Sequence, residues 1–125
     1  MLICGQKNIS GQKKKKHLWI KEICGKRKRN MRKIKIGFLQ QHNVADRRTN
    51  ILRLAEGIAD LAKRGAQLVV LQELHNSLYF CQEENVDNFE LAEPIPGPST
   101  QMFGEIAKQF GVVIVTSLFE RRAAG

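Results

Sequence analysis

Cysteine is scarce in this sequence, and its positions argue against both disulfides and metal binding. It occurs three times among 125 residues, at Cys4, Cys24 and Cys81, and no two of these lie close together. An odd number of isolated cysteines is typical of a protein in a reducing compartment. No CxxC motif is present and the three histidines are scattered along the chain, which excludes the usual zinc-binding patterns. We therefore expect neither disulfides nor a bound metal.

Long apolar runs are also absent. No stretch approaches the roughly 18 apolar residues that a membrane-spanning helix needs. A secretory signal would need about 7–15 consecutive apolar residues, but the short stretch around Leu18, Trp19 and Ile20 is followed at once by Lys21 and Glu22. We therefore expect a cytoplasmic protein that does not contact a membrane.

Acidic residues are nearly missing from the first 30 positions. This segment holds ten of the 21 lysines and arginines but one acid, Glu22. Residues 31–125 contain 11 basic and 11 acidic residues, so their formal charge is zero. The net charge of +9 therefore belongs to the N-terminal segment, and the remainder does not have the charge of a nucleic-acid-binding domain.

The basic segment, residues 1–30, combines runs of lysine and arginine with glycines and scattered apolar residues. This composition predicts disorder. Two interpretations stay open. The clustered cations could form a localisation signal or a nucleic-acid-binding arm. Alternatively, the protein starts at Met31, where a regular strand pattern begins at once, and residues 1–30 are upstream sequence.

Beyond the basic segment, apolar periodicity predicts a strand and then a helix. Residues 33–40 have apolar side chains at period two, as in a strand. Residues 51–62 have them at helical spacing, with Asp46 or Thr49 as the candidate N-cap and Gly65 as the end of the helix. The helix would have about four turns.

The same alternation continues to the end of the chain. Leu68–Leu71 is wholly apolar, as expected for a strand buried on both faces. A polar stretch with three prolines precedes a second helix, for which Ser99 or Thr100 is the candidate cap and Gly111 the end. Residues 112–116 form the last strand. The order β-α-β-loop-α-β predicts an α/β fold with a parallel sheet, and three strands indicate part of a larger domain.

Glu73 is the strongest candidate for a catalytic residue. It ends the strand Leu68–Gln72, and sites in α/β sheets form beyond the carboxyl ends of the strands. Partial burial there would raise its pKa and make it a better proton acceptor near neutral pH. The alternative is that Glu73 simply marks the return of the chain to solvent.

Other residues are weaker candidates. Cys81 could be a nucleophile with His75 as its base, or it could be an inert small apolar residue. His42 is followed by Asp46 four residues later, which is a common pairing in loops. No GxGxxG, Walker or GxSxG motif is present, and we expect no cofactor.

Several stretches of the sequence follow one family pattern. They are Gly65-Ala-Gln-Leu-Val-Val-Leu-Gln-Glu-Leu-His, Asn76-Ser-Leu-Tyr-Phe-Cys-Gln, Glu93-Pro-Ile-Pro-Gly-Pro-Ser-Thr and Val113-Ile-Val-Thr-Ser-Leu-Phe-Glu-Arg-Arg, together with the opening Met31-Arg-Lys-Ile-Lys-Ile-Gly. The first of these resembles the first catalytic block of the carbon–nitrogen hydrolase family, the nitrilase superfamily. The resemblance covers residues 31–125 almost without interruption, whereas residues 1–30 have no counterpart.

This resemblance implies a fold and a mechanism. The fold is an αββα sandwich, of which this chain would be the N-terminal part. The reaction is hydrolysis of a linear amide or ureido bond by a Glu-Lys-Cys triad, in which the cysteine attacks the carbonyl carbon, the lysine stabilises the oxyanion and the glutamate moves protons. Glu73 matches the glutamate, the lysine and cysteine would lie beyond the end of this sequence, and Cys81 does not occupy the nucleophile's position.

Within the family, the sequence is most similar to amidases of putrescine and polyamine synthesis. The implied substrate is an N-carbamoyl amine, N-carbamoylputrescine, and the products are putrescine, ammonia and carbon dioxide. We assign Tyr79 as a candidate substrate-binding residue, and we expect the complete enzyme to be a homo-oligomer and residues 1–125 alone to be inactive. The alternatives are a truncated remnant that acts as an interaction module, and a binder of nucleic acids or anionic surfaces through the basic segment.

Overall fold

The computed structural model describes residues 16–23 and 33–122. Within them, a four-stranded sheet has the order β1-β2-β3-β4. The elements are β1 (Lys16–Ile23), β2 (Ile34–Gln41), α1 (Arg47–Lys63), β3 (Leu68–Leu71), a 3-10 helix (Val86–Leu91), α2 (Pro98–Phe110) and β4 (Val113–Val115). Strands β2, β3 and β4 are parallel, which confirms the predicted α/β order, and β1 pairs with β2 in the antiparallel direction.

Strand β1 corrects the prediction for the basic segment. We expected disorder throughout residues 1–30, but Lys16–Ile23 forms a strand whose partner is β2. Leu18 pairs with Leu39 and Ile20 with Gly37, and both β1 side chains pack against the core. These two alternating apolar residues are enough for an edge strand because β2 supplies the hydrogen-bonding partner. The rest of the prediction for this segment falls outside the described residues.

Helix α1 begins and ends close to where the sequence predicts. Asp46 is the N-cap, and its carboxylate accepts hydrogen bonds from the backbone N–H groups of Arg48 and Thr49 at 3.3 and 3.0 Å. The Thr49 hydroxyl also donates to this carboxylate, and these bonds hold the pKa of Asp46 below its usual value. Beyond the C-terminus, Gly65 has a φ of 86°, a backbone angle that favours glycine.

Helix α2 begins earlier than predicted. The N-cap is Gly97 and the helix starts at Pro98, so the expectation of a cap at Ser99 or Thr100 is wrong. Proline is favoured at the first helical position, where its missing N–H has no intrahelical partner to lose. The Thr100 side chain instead closes the first turn, because its hydroxyl accepts from the Gly97 N–H at 2.7 Å. The helix ends at Gly111 in the left-handed region, as predicted.

Both helices pack on one face of the sheet. The buried core between them contains Leu39 from β2, Leu54, Ile58 and Leu61 from α1, Val69 and Leu71 from β3, and Phe103 from α2. Each of the strands contributes every second residue to this face, as the pleat of a strand requires.

The opposite face of the sheet is also apolar. The strand register aligns Ile36, Leu68 and Val113 in one row and Phe38, Val70 and Val115 in the next. Val113 and Val115 are 63% and 47% exposed, so no described residue covers this end of the face. The αββα sandwich that the resemblance implies would place its second sheet here, and the described residues correspond to part of one αβ layer.

Candidate active site

Glu73 lies just beyond the carboxyl end of β3, in a turn that we call the Glu73 turn, residues 73–77. Loops that follow β2 and β4 lie at the same edge of the sheet, because the three strands are parallel. Glu73 itself is exposed, so the expectation of partial burial is wrong. The physical reason is that β3 ends at Leu71, which leaves Glu73 past the sheet edge with no described residue over it.

The Glu73 turn is fixed by side chains from neighbouring elements. Leu74 has a φ of 46°, an unusual backbone angle for a residue with a side chain. From the loop after β2, the Asn43 amide donates to the carbonyl oxygens of Leu74 at 3.3 Å and Ser77 at 2.6 Å. From α1, the buried Asn50 amide donates to the carbonyl oxygen of Asn76 at 3.1 Å. The position of the Glu73 backbone is therefore set by contacts from the loop after β2 and from α1.

His75 anchors the turn to the strand end on its other side. Its Nε2 lies 2.6 Å from the Thr116 hydroxyl, its Nδ1 lies 2.7 Å from the Asn76 side-chain oxygen, and its ring meets Phe103 edge to face. The Asn76 amide nitrogen donates to Ser99, so its oxygen is the acceptor and Nδ1 of His75 carries the proton. Complete burial lowers the pKa of His75, which favours the neutral ring.

An ion pair between the half-exposed Arg47 and the buried Glu93 joins the turn to the start of α2. Glu93 accepts from Arg47 at 2.7 Å and from the backbone N–H of Ser99 at 2.9 Å. Asn76 and Arg47 both donate to the Ser99 hydroxyl, at 2.6 and 3.1 Å. We did not identify these residues as functional from the sequence. The pattern gives no signal for them, since Arg47 and Glu93 are 46 positions apart.

Tyr79 and Cys81 lie near Glu73. The pKa of Tyr79 is raised, chiefly by the charge of the Cys81 side chain when ionised and by a hydrogen bond between the two, and to a smaller extent by the Glu73 carboxylate. Tyr79 is 57% exposed and lines an open pocket of about 390 Å³ with Leu78 and Glu83. The structure thus brings the two predicted site residues, Glu73 and Tyr79, to one surface.

The weaker candidates are not assembled into sites. Both ring nitrogens of His75 are occupied by Asn76 and Thr116, so His75 is not the base that a Cys81 nucleophile would need. His42 is exposed, and the Asp46 carboxylate that could have paired with it caps α1 instead.

Among residues 16–23 and 33–122, no group of His, Cys, Asp or Glu side chains could hold a metal ion. No helix in the same part of the chain is long and apolar enough to cross a membrane.

Comparisons with known proteins agree with this architecture. Residues 35–125 match the family model described as carbon-nitrogen hydrolase. A citrullinase from Francisella tularensis is 32% identical over 92 residues, which are 73% of this chain and 32% of that protein. An N-carbamoylputrescine amidase from Oryza sativa is 42% identical over 64 residues, or 50% of this chain and 21% of that protein.

A solved structure gives the same result for the fold. The crystal structure of a carbon-nitrogen hydrolase from Helicobacter pylori G27 matches with a TM-score of 0.67 and 38% sequence identity, over 72% of this chain and 31% of that chain. The chain therefore spans about a third of the length of the citrullinase and of this structure. Since the family model matches well over half of its residues, the chain belongs to the carbon–nitrogen hydrolase family.

Proposed function

We propose that Glu73 is the proton-transfer residue of an enzyme that hydrolyses a ureido or amide carbon–nitrogen bond. The observation that carries this proposal is the Glu73 turn. Its backbone is held by buried and half-buried amides at the carboxyl edge of a parallel sheet, while the Glu73 side chain stays exposed. A fixed backbone with a free carboxylate suits a group that must accept and return a proton at one place.

The proposed chemistry divides the work among three residues, of which this chain supplies the glutamate. Glu73 takes the proton of a cysteine thiol, and the thiolate adds to the carbamoyl carbon. A lysine stabilises the oxyanion that forms, and collapse of the tetrahedral intermediate expels the amine, which takes the proton back from Glu73. Glu73 then takes a proton from the water that attacks the thioester carbonyl and returns it to the leaving cysteine thiolate. The carbamic acid that is released breaks down to ammonia and carbon dioxide. In this proposal the cysteine and lysine belong to the remaining part of the domain.

For the substrate, we propose N-carbamoylputrescine, with putrescine, ammonia and carbon dioxide as products. The support is the identity of 42% with the rice N-carbamoylputrescine amidase over 64 residues. The match to a citrullinase fits the same chemistry, since citrulline also ends in a ureido group. Tyr79 is proposed to contact the substrate, because its side chain is exposed at the open pocket and its phenol can donate a hydrogen bond.

The decisive test is Glu73→Gln in a polypeptide that contains the whole hydrolase domain. The amide is nearly isosteric but cannot accept a proton, so turnover should fall by about 10²–10⁴-fold. Thermal melts should show that folding survives, because Glu73 is exposed. Ammonia release from N-carbamoylputrescine is the assay, and near-normal turnover of this variant would exclude the proposed role.

Cys81→Ser is the matched control. It removes the exposed thiol beside Tyr79, yet a nucleophile elsewhere in the domain should keep most of the activity. A mechanism based on Cys81 predicts the reverse order of damage. Residues 1–125 alone should release no ammonia, since a base without its nucleophile cannot form the covalent intermediate.

A further inference from the structure

The side chain of Glu73 has no hydrogen bond or ion pair of its own within the described part of the chain, so its placement depends on the backbone around it. Leu74, the next residue, has a φ of 46°. A branched-chain residue adopts this left-handed conformation only where surrounding interactions hold it there. The interactions that fix Leu74 therefore also fix the direction in which Glu73 leaves the sheet.

Asn43 is the residue that makes these interactions. Its amide nitrogen donates to the carbonyl oxygen of Leu74 at 3.3 Å and to that of Ser77 at 2.6 Å. One side chain therefore joins positions near both ends of the Glu73 turn. Ser77 also donates from its backbone N–H to the Leu74 carbonyl at 3.4 Å, which closes the turn on itself.

The orientation of Asn43 is itself determined by the sheet. The Gln41 side-chain nitrogen donates to the Asn43 side-chain oxygen at 3.0 Å and to the backbone oxygen of Asn50 at 3.1 Å. Because the Asn43 oxygen is an acceptor in this contact, its nitrogen must face the two carbonyl groups of the turn. Gln41 is a buried residue at the end of β2, so the connection runs from a rigid strand to the turn.

From this arrangement we propose that Asn43 is a positioning residue for Glu73. The inference rests on the proposed catalytic role of Glu73, and it adds that β2 controls where this carboxylate sits. Asn43 differs from Asn50, which also reaches the turn but is fully buried and bonds to Val44 in the loop before α1. Asn43 is half-buried, so its function can be removed with less damage to the fold.

The test is Asn43→Asp in the complete hydrolase domain, combined with Glu73→Gln in a double-mutant cycle. Aspartate has the same shape but cannot donate to either carbonyl group. If Asn43 acts through Glu73, this change should lower kcat by roughly 10²-fold with KM nearly unchanged. In the Glu73→Gln background the same change should lower kcat little further.

Hydrogen exchange on the 125-residue chain tests the contact without any assay of activity. In Asn43→Asp, the backbone amide of Ser77 should exchange faster, while amides in the middle of α1 should not change. The matched control is Asn85→Asp, which adds the same charge. Asn85 accepts a hydrogen bond from the Asp87 backbone N–H, and an aspartate keeps that acceptor.

The outcomes separate this inference from the proposed function. If Glu73→Gln is inactive but Asn43→Asp keeps its kcat, the role of Asn43 is wrong and that of Glu73 stands. An equal loss in both backgrounds also excludes positioning, because Asn43 would then act independently of Glu73. If Asn43→Asp does not fold, Asn43→Ala, which removes the donor and adds no charge, goes through the same cycle with the same criteria.

Discussion

His75 should make the protein less stable in mild acid. It is fully buried, and burial lowers its pKa from the usual 6.5, which the Asn76 hydrogen bond and the Glu93 charge partly oppose. Below pH 6.5 this histidine is therefore protonated to a greater extent in the unfolded chain than in the folded chain. Stability from the neutral ring is fully present above pH 6.5 and is lost as pH falls through the folded-state pKa. Because one proton is involved, the slope of the unfolding free energy against pH cannot exceed about 1.4 kcal/mol per pH unit.

Urea unfolding between pH 8 and pH 5 measures this effect against His75→Gln, which keeps a donor and an acceptor but does not titrate. The unfolding free energy of the wild type should fall more steeply than that of the variant, and the two should converge towards pH 5. All other titratable groups are the same in both proteins, so their contributions cancel in the difference. His42→Gln, at an exposed position, should retain the wild-type slope. Parallel slopes for the wild type and His75→Gln would refute the assignment of a buried neutral ring.

Three glycine substitutions test the boundaries of α2, each by thermal and urea unfolding. Gly97→Ala would place a Cβ atom 2.2 Å from the Pro94 carbonyl oxygen, so it should lower the free energy of unfolding by about 3 kcal/mol. A decrease below about 0.5 kcal/mol would contradict this packing. Gly111→Ala must adopt a φ of 63° and should cost about 1–2 kcal/mol. Gly104→Ala is the control inside α2, where a Cβ meets nothing within 4 Å; it should stabilise by about 1 kcal/mol, and a loss there would contradict the exposed helical position.

The helices and the parallel strands could be predicted because their burial repeats with the period of the element. Leu54, Ile58 and Leu61 are fully buried at helical spacing, and Val69 and Leu71 point to the same core from β3. Such patterns depend on local sequence and on one apolar face, so they need no knowledge of the neighbours. The expectation of a second sheet came from the family resemblance, because the periodicity of these residues cannot indicate it.

Strand β1 could not be predicted because its own sequence gives only a weak periodic signal. Its apolar face consists of Leu18 and Ile20 within a basic segment, and such a composition usually indicates disorder. What makes it a strand is the edge of β2, the next strand along the chain, with which it pairs in the antiparallel direction. An edge strand of this kind depends on its neighbour more than on its own residues.

The position of Glu73 in the fold was predictable, but the contacts that support its turn were not. The apolar run of β3 ends just before Glu73, and this run can be read from the sequence. The exposure of Glu73 depends on which elements cover the sheet edge, and this is a property of the whole fold. The contacts of Asn43 with Leu74 and Ser77 join residues 31 and 34 positions apart, and asparagine in a loop has many local explanations.

The hydrogen bonds around Glu73 hold the backbone of the turn and not the carboxylate. The donors are the side-chain amides of Asn43 and Asn50, and they go to the backbone carbonyl groups of Leu74, Asn76 and Ser77. The Glu73 side chain accepts none of these bonds and stays exposed. The turn is therefore fixed through its backbone, while the carboxylate remains accessible.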